Sequence, residues 1–307
     1  MDAPGVYTSL DELVRLRQYT RGFSFLPRQP LHSLLAGRHA SRLRGRGLDF
    51  AELRRYLPGD DVRTIDWRVT ARTRRPWVRI YTEERDRPLL LVVDQRRHMF
   101  FGSRRAMKSV AAAEAAALAA WRTLGAGDRV GALVFDDAEV TELRPQRSEA
   151  QVLRILNAVV ACNRALRVDA PGDADPGMLN RVLAQAARVA THDHLVCLVT
   201  DGDGTDAATA RLVTRLAAHN DVLLVAIHDV LEWTLPDAGR LVMGDGGREL
   251  EVDTGDADLR RRFADESTTR RAAQRTLARQ REIPVLAVDA GEDVLAQVRR
   301  QLGRAAR

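Results

Sequence analysis

From residue 89 onward the chain alternates short, wholly apolar runs with longer stretches of helical period, and few folds accept that order. The runs are LLLVVD (89–94), VGALVF (130–135), HLVCLVTD (194–201), VLLVAIH (222–228) and PVLAVD (284–289). Helical patterns lie between them at about 104–124, 149–161, 178–191 and 207–218, with a last one after Gly291; Gly125 and Gly127 serve as helix stops. A strand that is apolar at every position has to be covered on both faces. That requirement points to a mostly parallel sheet between two helical layers. RLVMGDGGRELEVD (240–253) reads as a hairpin turning at GDGG, after which a charged helix beginning DLRRRF returns the chain to the last strand.

Before residue 89 the texture differs. TSLDEL carries a capping-box pattern, Ser9 with Glu12, and opens a short helix to about Arg21. Pro27, Pro30, Gly37, Gly45 and Gly47 punctuate the segment that follows. LPGD at 57–60 puts proline and then glycine at the centre of a type II turn, and WVRIYT (77–82) alternates as a strand does. The expected division is an N-terminal extension over 1–86 and an α/β domain over 87–307.

Charge is uneven along the 307 residues. The window from Arg38 to Arg87 contains 14 arginines against 8 acidic residues, a surplus equal to the net charge of +6 of the whole chain. Such a block suits an acidic partner or nucleic acid. Lys108 is the only lysine among 48 basic residues, however, so arginine enrichment is general, and the acids interleaved in the window argue against nucleic acid. No run approaches the roughly 18 apolar residues of a membrane span, and MDAPGVYTSLDEL has no apolar leader core. Cys162 and Cys197 stand alone in apolar runs, as reduced thiols of a cytoplasmic protein do.

Enzyme signatures are missing. Lys108 lies in RRAMKSV, without the glycines of a phosphate-binding loop; there is no HExxH and no GxSxG; His192 and His194 lack a zinc spacing. Nothing nominates a catalytic residue or a cofactor. What remains is a pair of strand ends: Asp94 closes the first apolar run and Asp201 closes another, with Asp203 just beyond. In a doubly wound sheet ligands gather outside the carboxyl ends of the strands. Carboxylates there suit a hard divalent cation, and equally they cap turns.

The series GRGLDFAELRRYLPGDDVRTIDWRVTARTRRPWVRIYTEERDRPLLLVVD, then MFFGS, GDRVGALVF, VTDGDG and DVLEWTLPDAG, resembles the bacterial family called "domain of unknown function 58" over roughly residues 30–300. The resemblance implies a von Willebrand factor A-like, doubly wound, mostly parallel sheet with an N-terminal extension and a β-hairpin insertion. It also implies a MoxR-type AAA+ ATPase as partner, with the protein acting as a non-catalytic adaptor or assembly partner toward a client. A-like domains begin a metal-ion-dependent adhesion site with Asp-x-Ser-x-Ser. Aligned on Asp94, the two serines fall at Arg96 and His98, and the site's threonine would lie in GDADPGML (172–179), which has none. The cation site is therefore expected to be degenerate.

Three occupants of its place stay open. Arg96 could pair with Asp94 and Asp201. The arginine could turn to solvent, leaving the aspartates as caps. Or His98 could join Asp94 and Asp201 around zinc, manganese or iron, as in a metal-dependent hydrolase. The other family motif gathers Tyr56, Gly59, Asp60, Asp61, Arg63, Asp66, Trp67, Arg68 and Arg72. Its acids and arginines read as an ion-paired junction or docking surface, with Tyr56 and Trp67 as buried anchors.

Overall fold

The computed structural model of the chain describes residues 4–20, 25, 48–83, 87–168, 175–244, 249–280 and 283–302. The chain divides into a larger unit, Met1–Leu31 with Arg87–Arg307, and a smaller one, His32–Asp86. The expected single extension over 1–86 is thus corrected, since its first part belongs to the larger unit. The reason is packing. Helix α1 (Leu10–Arg15) opens on the Ser9–Glu12 capping box and buries Leu13 completely. The Trp121 indole donates to the Leu13 carbonyl at 3.1 Å, and Thr8 N donates to Asn163 Oδ1 at 2.9 Å.

The smaller unit is built on β1 (Leu48–Arg55) paired antiparallel with β2 (Trp77–Glu83), with a register shift between Phe50 and Glu52. Between these strands come the turn at 57–60, a short 3-10 turn (Val62–Thr64) and α2 (Trp67–Thr73). Asp60 N donates to the Leu57 carbonyl at 3.0 Å, and Gly59 has φ +105°, the position of a type II turn that a side chain would strain.

In the larger unit β3 (Leu89–Asp94), α3 (Lys108–Gly125), β4 (Val130–Phe135), β5 (Val140–Gln146), α4 (Glu149–Ala165), α5 (Met178–Val189), β6 (Leu195–Thr200), α6 (Ala207–Ala217) and β7 (Asp221–His228) follow in order. The hairpin β8 (Arg240–Gly244) with β9 (Glu249–Asp253), then α7 (Ala257–Gln280), β10 (Val285–Asp289) and α8 (Val294–Leu302), complete it. The strand order is β10-β7-β6-β3-β4-β5, parallel except for β5 at the edge. The turn of the β8–β9 hairpin, 245–248, lies outside the described residues.

Side chains alternate along β3. Leu89, Leu91 and Val93 enter a core with α1, α3, α4 and α8, whereas Leu90 and Val92 enter one with α5 and α6. Both faces are covered, so every position is apolar. Helix α3 is buried almost all round, and its alanines at 111–113, 115–117, 119 and 120 let neighbouring elements approach closely. No described helix is long and apolar enough to cross a membrane.

If α1 is an integral part of this core, Leu13→Ala should lower the unfolding free energy by about 2–5 kcal/mol in a urea titration of the full chain. A loss inside the roughly 0.5 kcal/mol typical of surface positions would place the helix outside the cooperative unit.

Candidate functional site

Strand order reverses between β3 and β6: β4 follows on one side of β3, whereas β6, β7 and β10 lie on the other. The carboxyl ends of β3 and β6 therefore flank the position at which doubly wound sheets place their crevice. Asp94 ends β3 at 0% exposure, and Thr200 ends β6 immediately before Asp201. Asp94 has no route to water, so its charge must be met by neighbouring donors.

Arg96 supplies most of them. Its backbone N–H and Nε donate to Asp94 Oδ1 at 3.1 and 3.0 Å, and its Nη2 donates to Oδ2 at 2.6 Å. The Thr200 hydroxyl donates to the same Oδ2 at 2.7 Å. Arg96 Nη2 also donates to the Asp203 carbonyl at 3.2 Å, and the guanidinium lies 5.5 Å from the centre of the Phe135 ring. Arg96 is only 2% exposed. Burial opposes its charge, but the bond to Asp94 and the fields of Asp94, Asp201 and Asp203 raise its pKa.

Asp201 is met by different groups. Lys108 Nζ donates to its Oδ2 at 2.6 Å and also to Glu232 Oε1; His98 Nδ1 lies 2.8 Å from the same Oδ2; Asp203 N donates to Oδ1 at 2.9 Å. Burial would raise the Asp201 pKa, yet His98 and Lys108 together hold it below its ordinary value. Burial likewise works against the charges of His98 and Lys108, and the carboxylates overcome it: Asp201 and Asp94 raise His98, and Asp201 and Glu232 raise Lys108. Three carboxylates (Asp94, Asp201, Glu232) thus face three cations (Arg96, Lys108 and protonated His98), and the cluster is charge-balanced when His98 carries its proton.

The arginine expected in the crevice is Arg96, paired with Asp94; its field reaches Asp201, but the direct partners of Asp201 are Lys108 and His98. Arg97 takes no part in these bonds, and its N–H goes to Asp137 Oδ2 at 2.7 Å. Asp203 contributes its carbonyl and its N–H, while its side chain is exposed. Thr200, Lys108 and Glu232 were not foreseen. A signal for Lys108 was present in its being the one lysine in an arginine chain, set where α3 begins beside the crevice.

Asp94, His98 and Asp201 offer atoms within 4.8 Å of one another, close enough for one metal ion. The donors around them do not fit a hard divalent cation. Both Asp94 oxygens and Asp201 Oδ2 already accept two donors each, and a metal would sit at hydrogen-bond range from a guanidinium and an ammonium. The Thr200 hydroxyl, a candidate ligand by type, has its hydrogen on Asp94 and accepts from Gly202 N at 3.1 Å. In the loop of the expected threonine, residues 172–174 lie outside the described residues, and Asp175 is turned to Gly177 N and Arg181.

Burial pushes Cys197 up to about 12, and burial with Asp136 and Glu139 pushes Cys162 up to about 11.

In the smaller unit, among the described residues, no ion pair joins the motif acids to Arg63, Arg68 or Arg72, and Asp60 pairs with Arg54. Asp60 accepts from Leu57 N and Arg54 Nη2 at 2.8 and 2.7 Å, Asp61 accepts from Arg63 N at 2.9 Å, and Asp66 accepts from Arg68 N and Val69 N at 3.0 and 3.1 Å. The expectation of two buried aromatic anchors is corrected: Trp67 is 68% exposed and Tyr56 is half-buried. Trp67 is the first residue of α2, and the helix direction set by the Asp66 cap carries its ring outward.

Arg96→Met leaves Asp94 buried without its ion partner and should cost about 3–5 kcal/mol in chemical denaturation; adding Asp94→Leu should restore most of that loss. His98, raised above its ordinary 6.5, stabilises the fold fully below pH 6.5 and loses that contribution as pH rises through the folded value. Asp201, lowered from 3.8, contributes above that pH and loses its share as pH falls through its folded value. The stability difference between wild type and His98→Gln should therefore shrink on the alkaline side of 6.5, read from unfolding curves across pH.

A family model described as "Protein of unknown function DUF58" matches residues 52–273. Uncharacterized protein Rv1480 of Mycobacterium tuberculosis (strain ATCC 25618 / H37Rv) is 30% identical over 288 residues, covering 92% of this chain and 88% of that protein. Uncharacterized protein Mb1516 of Mycobacterium bovis matches with the same identity and coverage. Among solved structures, a conserved hypothetical protein BatB from Bacteroides thetaiotaomicron aligns with a TM-score of 0.41 at 12% identity, over 69% of this chain and 93% of that one. On the family match and the mycobacterial relatives together, the chain belongs to the DUF58 family.

Proposed function

We propose that the chain is a non-catalytic adaptor of the cytoplasm, working with a MoxR-type AAA+ ATPase on the assembly or remodelling of a client protein complex. Its larger unit is read as a von Willebrand factor A-like domain whose cation site has been closed by its own side chains. The observation that carries this reading is the buried bidentate pair between Arg96 and Asp94, joined by Lys108 on Asp201. Carboxylates engaged in this way are poor general bases and poor metal ligands, so the crevice is suited to structure and recognition. The ATPase enters through the resemblance of the GDD…IDW…AR series. With internal cations in the metal's place, recognition at this face needs no divalent ion.

A metal-dependent hydrolase is the second reading, favoured by the 4.8 Å grouping of Asp94, His98 and Asp201. The two readings separate in one experiment. The full chain is mixed with the MoxR-type ATPase of the same organism, in excess EDTA and in Mg²⁺, and followed by analytical ultracentrifugation. A complex of equal affinity in both conditions is the expected result. Absence of a complex in both, or a complex that forms only with the metal, contradicts the adaptor reading. Hydrolysis of ester or phosphoester probes that is lost in Asp94→Asn and Asp201→Asn would install the enzyme instead.

A further inference from the structure

We infer that the end of the smaller unit built from residues 57–75 is a docking surface for an acidic segment of a partner protein that also carries apolar side chains. This goes beyond the adaptor reading and stands whether or not the crevice binds metal.

The local backbone brings the surface together. Tyr56 N donates to the Pro76 carbonyl at 3.0 Å, Asp66 N donates to the Trp77 carbonyl at 2.8 Å, and Ile65 bridges Val78. Both ends of 57–66 are thereby fastened to the start of β2. Helix α2 ends at Thr73, and the φ of 54° at its C-cap Arg74 turns the chain back through Arg75 into the same strand. Everything between Leu57 and Arg75 consequently lies at one end of the small sheet.

Two kinds of side chain are left over there. Leu57, Val62 and Trp67 are 56%, 58% and 68% exposed. Exposed large apolar side chains gathered in one short segment mark contact surfaces. Arg63, Arg68, Arg72, Arg74 and Arg75 are exposed and, among the described residues, form no ion pair. The acids beside them in sequence are engaged elsewhere: Asp60 accepts from Leu57 N and is ion-paired with Arg54, and Asp61 and Asp66 accept from backbone N–H groups. The acids shape the turns, and the arginines are left facing water. Trp and Arg are the side chains most often dominant at protein contacts, and guanidinium groups take carboxylates bidentately.

Complementarity fixes the occupant as a segment with Asp or Glu next to Leu, Val or Phe. A nucleic acid would also satisfy the arginines, but Leu57 and Val62 offer it nothing, and Trp67 is the one exposed ring here on which a base would stack.

The test is a random peptide library displayed on phage and selected on the immobilised full chain. Enriched peptides are then measured by fluorescence anisotropy against wild type, Trp67→Ala and Arg68→Glu/Arg72→Glu, with oligo-dT as competitor. Acidic peptides with an adjacent apolar residue should be enriched, and each variant should weaken them by about ten-fold or more. All three substituted side chains are exposed, so unchanged circular dichroism and melting temperature should accompany that loss. Enrichment without acidic residues, no enrichment at all, or binding indifferent to both variants overturns the inference. So does displacement by oligo-dT at lower concentration than the peptides themselves, which would assign the surface to nucleic acid.

Discussion

Asp94 sits at the end of a central strand with no exposure to solvent, and a carboxylate in that position must be neutralised at short range or protonated. In this chain the neutralising group comes from two residues further on. The loop after β3 turns Arg96 back over the strand end, where it reaches both carboxylate oxygens and packs near Phe135. The Arg96 side chain also bonds the Asp203 carbonyl after β6, so one ion pair couples the ends of the two neighbouring strands at the reversal of the sheet. Removing either charge leaves the other stranded in a dry place, and the crevice is therefore stable only as a set.

The N-terminal segment belongs to that set. Gly5 accepts from Met107 N at 2.8 Å, immediately before Lys108 begins α3. At Gly5 the backbone has φ +82°, and a side-chain carbon would stand 2.1 Å from the Arg105 carbonyl oxygen, so glycine is required for this approach. Thr8 N bonds Asn163, and Asn163 Nδ2 donates to Gln95 between Asp94 and Arg96. Gln95 in turn donates to the Ser109 carbonyl, one residue after Lys108. A buried polar chain thus ties residues 5–8, α4, the β3 end and the start of α3. It explains why the first residues group with the α/β unit, and it fastens the start of α3, from which the Lys108 ammonium reaches Asp201.

The parallel strands were legible because each is apolar throughout, and the helices because their period is regular; most boundaries moved by a few residues. Helix α3 starts at Lys108 rather than near 104, since the loop before it is shaped by Gly5 and Asp229 rather than by helical period. Strands β5 and β1 were missed. VTELRPQ is half solvent-facing with a proline, an edge strand's composition, and LDFAELRR carries its bulge where alternation would have been read. In the crevice Arg96 was readable from alignment on Asp94. Lys108, Glu232 and Thr200 come from the starts and ends of other elements, and only the folded topology brings them within bonding distance. Trp67 misled because an aromatic residue in a charged motif is usually an anchor, and here the cap at Asp66 turns it outward.

The central claim is that internal cations stand where a divalent ion would bind. Its most direct measurement is titration calorimetry with Mg²⁺, Mn²⁺ and Zn²⁺, alongside elemental analysis, on wild type and on Arg96→Ser/His98→Ser. Wild type should give no binding heat and no stoichiometric metal, whereas the double variant, with Asp94 released and two hydroxyls introduced, should acquire measurable affinity. A tightly held metal in wild type, lost on changing Asp94, His98 or Asp201, would contradict the claim.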